Sequence, residues 1–99
     1  MEHATGFSLD VSETRVKVTG ELDVLTAPLV IEAVIKAMTV ELDLSDVTFV
    51  DSTGVHALIQ LRNRRSELRI VAISPPVKRV LEVTGIAQAL LSAEPRAGA

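Results

Sequence analysis

A small α/β domain with a mixed, mostly parallel sheet is the fold class this sequence predicts, and three observations carry the expectation. Two early runs, Phe7 to Val11 and Arg15 to Thr19, alternate apolar and polar residues as half-buried strands do. After them, strand-like and helix-like patterns take turns, the order that builds parallel pairs through crossover helices. The chain is also 47% hydrophobic over 99 residues, with two Phe and no Trp or Tyr, so it can bury an aliphatic core at a size where net stability is modest. The predicted order is β-β-α-β-α-β-α-α: about four strands opening with a hairpin, and about four helices with right-handed crossovers. One domain is expected across residues 1–99, its core from about 7 to 91 and a flexible tail over 94–99.

The elements follow in order. Residues 1–5 read as a loose start. Glu13-Thr14 turns the first strand into the second, which ends at Gly20-Glu21-Leu22-Asp23. Thr26 is placed to cap a helix from about Ala27 to Met38. Pro28 falls in its first turn, where a missing N–H does little harm, and Val30, Ile31, Val34, Ala37 and Met38 supply an apolar face. Val40 to Leu44 is the third strand. Ser45-Asp46 starts a connection that Val47, Phe49 and Val50 hold against the core. The second helix starts near Thr53, runs apolar at Val55, Leu58 and Ile59, and ends in a basic turn at Arg62 to Arg65 that suits the helix dipole. Leu68 to Ile73 is nearly continuous in apolar residues, as in a strand at the middle of a covered sheet. Ser74-Pro75-Pro76 opens a third helix with Val77, Val80, Leu81 and Thr84 on one face, stopped at Gly85. Ile86, Ala89 and Leu90 predict a short fourth helix.

Composition removes several functions. Without aromatic platforms and with a formal net charge of −3, nucleic-acid binding by stacking or by a basic grip on phosphates is not expected. There is no Cys, so disulfides and cysteine catalysis are out, and a cytoplasmic setting fits. No apolar run approaches a membrane span and no signal peptide is indicated, so no membrane partner is expected.

The residue that stands out is Ser52, within Val50-Asp51-Ser52-Thr53-Gly54, where a strand gives way to a helix. A helix start leaves about four N–H groups unpaired and carries roughly half a positive charge, so anything negative there is stabilised. Ser52 is therefore a candidate N-cap and a candidate phosphate acceptor, and on the residues alone the cap is favoured. As a hydrolase nucleophile it needs a base: His3 lies in the loose start, and His56, four residues on, has no evident third group to orient it. The Asp51-Ser52 pair is also found at the phosphopantetheine site of acyl carrier proteins, but those are all-helical. Asp10, Asp23, Asp43, Asp46 and Asp51 lack calcium-loop spacing, no His or Cys cluster suggests zinc, and no glycine-rich phosphate loop is present, so no metal or cofactor is expected. The plain readings of Asp51, Gly54, and the Asp23–Thr26 pair are a turn acid, a close helix contact, and a turn with its cap.

Three blocks resemble one family: Gly20-Glu21-Leu22-Asp23-x-x-Thr26-Ala27; Leu44-Ser45-Asp46-Val47-x-Phe49-x-Asp51-Ser52-Thr53-Gly54; and Ile73-Ser74-Pro75-x-Val77-Lys78-Arg79-Val80-Leu81. In this order they look like the STAS domain and, more narrowly, the bacterial anti-sigma factor antagonists. The resemblance implies a non-enzymatic protein, a monomer or weak dimer, that binds an anti-sigma factor and so frees a sigma factor. That partner is usually a serine kinase of the histidine-kinase-like ATPase type. The resemblance further implies that the kinase phosphorylates Ser52, that the modified form no longer binds, and that a PP2C-type phosphatase resets it. It places Asp23 beside the acceptor, with Thr26, Thr53 and Gly54 shaping the contact surface. Asp51 and His56 flank the acceptor. Val24 and Leu25 stand where more polar residues are common, which favours a hydrophobic partner contact over packing under the loop. The connection from Lys36 to Val40 is short for the family and trims the first helix. The alternatives are a STAS scaffold without phosphorylation, in a signalling or lipid-transport assembly; a small hydrolase using Ser52 and His56; and weak nucleotide binding at the acidic rim.

Overall fold

The computed structural model describes residues 6–86; the expected loose start at 1–5 and most of the expected fourth helix and tail lie outside them. Within that span the chain forms β1 (Ser8–Val11), β2 (Arg15–Leu22), α1 (Ala27–Lys36), β3 (Glu41–Val50), α2 (Ser52–Arg64), β4 (Arg69–Ile73) and α3 (Pro75–Thr84). The sheet runs in the order β1-β2-β3-β4. The β1–β2 hairpin is antiparallel, and β2–β3 and β3–β4 are parallel. This is the mixed sheet expected.

Two successive crossovers in one direction along a sheet put their helices on the same face when both are right-handed. Helices α1 and α2 do pack on each other. Val16, Val18 and Leu22 of β2, Leu42 and Leu44 of β3, Val30 and Val34 of α1, and Leu58 and Leu61 of α2 are all sealed from solvent between these layers. Each such side chain contributes about 1.5–3 kcal/mol on burial. Alternate positions of the same strands carry charge. Glu41 bridges Arg15 at 3.1 Å and Arg69 at 2.8 Å, and Lys17 pairs with Asp46 at 3.1 Å. These pairs tie β2, β3 and β4 together in one register.

Several expectations need correcting. The connection expected at Ser45 is strand: β3 continues to Val50. Two register shifts, between Lys17 and Thr19 and between Gly20 and Glu21, each place an extra β3 residue opposite β2. The buried positions of β3 therefore step from Leu44 to Val47 to Val50. A spacing of three hides a strand whose signature is a spacing of two. The same slip turns Phe49 out: it is 48% exposed, while Val47 and Val50 face the core as expected. β4 is an edge strand among the described residues, not a central one. Helix α1 stops at Lys36, and Met38, expected on its apolar face, is exposed.

The short link after α1 explains that stop. Thr39 N–H donates back to Val34 O at 3.1 Å, which requires Met38 in the left-handed region at φ 54°. Thr39 is fully buried, and its Oγ1 has no hydrogen-bond partner among the described residues. Gly85 ends α3 with φ 75°, as the sequence predicts. Ser74 precedes α3 without capping it; its hydroxyl donates to Val47 O at 2.6 Å and anchors the helix start to β3.

Candidate functional site

The site lies at the carboxyl end of β2 and β3. Leu22 and Val50 are the last paired residues of these strands, and Asp51 N–H donates to Leu22 O at 3.3 Å. Asp23 follows Leu22 directly and Ser52 follows Val50 after Asp51, so the turn at 23–26 and the start of α2 are neighbours.

The cap of α2 is Asp51, not Ser52. Asp51 is extended at φ −111°, ψ −173°, and its Oδ1 accepts from Gly54 N–H at 2.9 Å. A carboxylate suits this place better than a hydroxyl, since it also answers the positive helix end. Ser52 is thereby released. It is the first residue of α2, and its side chain is exposed. Thr53 and His56 are exposed on the next turn and a half. Gly54 is buried against the strand ends: a Cβ there would stand 2.5 Å from Leu22 O and 2.7 Å from Val50 Cγ2. Glycine is what lets α2 come down onto the sheet at this point.

The neighbouring turn is locked by its own side chains. Asp23 Oδ1 accepts from the N–H groups of Leu25 at 3.0 Å and Thr26 at 3.2 Å. Thr26 Oγ1 donates to Glu21 O at 2.7 Å and accepts from Asp23 N–H at 2.9 Å. Thr26 is buried, has helical backbone angles, and makes no side-chain cap to α1; it clamps the turn instead. With Asp23 and Thr26 holding it from inside, the turn presents Val24 and Leu25 outward, 62% and 70% exposed. Leu29, on the first turn of α1, continues this apolar surface at 44% exposure. Leu29 was not anticipated; the available signal was an apolar residue out of phase with the buried pair Val30 and Val34.

Two grooves flank the first turns of α2. One, of about 370 Å³, runs between α1 and α2 past Pro28, Ile31, Glu32, Thr53 and His56. The other, of about 390 Å³, runs between α2 and α3 past Asp51, Ser52, Val55, His56 and Val80. His56 lines both. Among the described residues neither Ser52 nor His56 makes a side-chain hydrogen bond or ion pair, so the relay a serine hydrolase needs is not assembled. No cluster of three potential metal ligands occurs among the described residues, and none of their helices is long and apolar enough to cross a membrane. The site is thus an exposed hydroxyl at a helix start that the Asp51 carboxylate caps, with the turn that the Asp23 carboxylate holds, and that presents apolar residues, at the same strand ends.

Comparison with known proteins gives this arrangement its family. Residues 8–95 match the family model of the STAS domain. An anti-sigma-B factor antagonist of Listeria monocytogenes is 37% identical over 86 residues, covering 78% of this chain and 75% of the relative. One from Staphylococcus aureus is 37% identical over 81 residues, covering 72% and 74%. Among solved structures, an anti-sigma factor antagonist from Mycobacterium paratuberculosis superposes with a TM-score of 0.65 at 27% identity, covering 88% of this chain and 83% of that one. A putative anti-sigma factor antagonist from Thermotoga maritima shares the fold, with a TM-score of 0.63 at 21% identity, covering 93% and 89%. On this evidence of sequence and fold together, the chain belongs to the STAS domain family.

Proposed function

We propose that this chain is an anti-sigma factor antagonist: it binds an anti-sigma factor through the surface around α2's first turn, frees a sigma factor, and is switched off by phosphorylation of Ser52. The observation that carries the reading is the exposed Ser52 hydroxyl on the first turn of α2, without a hydrogen-bond partner among the described residues, at the same end of the sheet as the turn that exposes Val24 and Leu25. The names of its relatives support the antagonist role. The kinase is the anti-sigma factor itself, of the histidine-kinase-like ATPase type, and a PP2C-type phosphatase resets the switch in the cytoplasm.

The physics of the switch follows from the cap. A phosphate adds roughly −1.5 to −2 charges and three acceptor oxygens. On the first turn of a helix that charge is compatible with the fold, and because Asp51 rather than Ser52 caps α2, modification removes no cap. The added charge falls instead on the docking surface, next to Asp23 and Asp51. If it weakens binding by about 3 kcal/mol, affinity drops roughly a hundredfold.

The test is to incubate the protein with candidate anti-sigma kinases and labelled ATP, and to measure binding of Ser52→Ala, Ser52→Asp and the parent chain by calorimetry. Ser52→Ala binds and takes no label; Ser52→Asp folds normally and binds at least tenfold more weakly. Equal affinity of all three variants refutes the switch. Tight binding with no label on Ser52 points instead to a STAS scaffold that works without phosphorylation.

A further inference from the structure

Among the described residues His56 makes no side-chain hydrogen bond or ion pair, yet it stands one helical turn from Ser52, placed to respond to a charge there. Residues four apart on a helix are stacked neighbours, with Cβ atoms about 5–6 Å apart. Ser52 and His56 stand in that relation on α2, both are exposed, and both line the groove between α2 and α3. An acid one turn N-terminal to a base is the favourable order for a helical ion pair. Among the described residues, the charged groups that line the two grooves with His56 are Glu32, across the other groove from α1, and Asp51 at the start of its own helix. From α3 the groove receives Val80 and Thr84, which carry no charge. Among the described residues, no lysine or arginine lines either groove to compete with the imidazole for a phosphate.

We infer that His56 is the counter-charge for a phosphate on Ser52, a positioning residue that makes the modified state of the switch sensitive to pH. The inference rests on the phosphorylation reading above and deepens it. In the unmodified protein the residue one turn before His56 on α2 carries only a neutral hydroxyl. Once Ser52 carries a phosphate, the doubly ionised phosphate and the protonated imidazole favour each other. When protonated, the imidazolium offsets part of the added negative charge and holds the phosphate against the helix; when neutral, it leaves the phosphate to project its full charge at an approaching partner. The switch is then most decisive on the alkaline side, a property that a serine placed without this neighbour would lack.

The test does not depend on any kinase. Phosphoserine is incorporated at position 52 during translation, and the phosphate is titrated by phosphorus NMR in three chains: with His56, with His56→Gln and with His56→Lys. The second ionisation of a phosphoserine lies near pH 6. With His56 or His56→Lys it is expected at lower pH than with His56→Gln, by about 0.3 units, the size of one helical ion pair. Superimposed curves for His56 and His56→Gln overturn the inference, whatever the anti-sigma factor does. A shifted curve in a chain whose phosphoserine form still binds the anti-sigma factor normally upholds the pair and overturns the switch. Since His56 is exposed, His56→Gln is expected to melt with the parent when unmodified, which separates an electrostatic effect from a structural one.

Discussion

Asp51 and Ser52 are adjacent, both suited to a helix start, and yet have separate tasks. Asp51→Ala removes the bond to Gly54 N–H and is expected to cost about 1 kcal/mol, seen as a fall of about 4–8 °C in melting temperature. Ser52→Ala, which removes no bond of the fold, is expected to stay within about 0.5 kcal/mol of the parent. The reverse ranking would restore Ser52 as the cap. A second residue-scale consequence concerns Asp43. Burial pushes its carboxyl up, but the Ser45 hydroxyl and N–H, with Lys17 and Arg15 nearby, outweigh this and hold it below the usual aspartate value of 3.8. A carboxyl depressed in the folded state stabilises the fold above its unfolded value, and that stability is lost as pH falls through the folded value. Ser45→Ala, which deletes the 2.7 Å bond to Asp43 Oδ1, should lower the urea midpoint at pH 7 and cease to matter once Asp43 is protonated. A deficit independent of pH would show that Ser45 acts by packing.

At the scale of elements, the turn at 23–26 is a rigid presenter. Its polar groups are spent on itself, so its apolar residues are free for a partner. Val24→Ser combined with Leu25→Ser is expected to leave urea unfolding unchanged within about 0.5 kcal/mol and to weaken anti-sigma factor binding at least tenfold; retained affinity would confine the contact to α2. Elements also show where the sequence was legible. Strand–helix alternation, the hairpin, the two prolines opening α3 and Gly85 closing it were readable because each is a local signal. The far half of β3 was not, because pairing with β2 creates its bulges, and so the apolar pattern points Phe49 to the core when it faces out. Whether β4 is central or at an edge is equally non-local: an apolar run states that side chains are shielded, not how many strands lie beside it. At the site, the residues were legible and their division of labour was not. Asp, Ser and Thr all satisfy cap rules, and only geometry shows Asp51 capping, Thr26 clamping and Ser52 left over.

For the whole molecule, the proposed switch would act without refolding. The layers that support the site are sealed by aliphatic packing, and the groups that shape its loops bond to backbone rather than to Ser52. Hydrogen exchange of the phosphoserine-52 protein is therefore expected to match the unmodified protein through β2, β3 and α1, with differences confined to the first turns of α2 and the turn at 23–26. Changed protection across the sheet would mean that modification acts by loosening the fold.

The tight passage from α1 into β3 has a practical corollary. Met38 holds a backbone shape that glycine adopts without penalty, and Thr39 carries an oxygen into an apolar interior that valine would fill as well. Met38→Gly and Thr39→Val should each add about 1 kcal/mol, raising the melting temperature while leaving affinity for the anti-sigma factor as it was. Natural selection has left unclaimed robustness in this corner, and a hardened version of the domain would tolerate more disruptive substitutions when its recognition surface is redesigned.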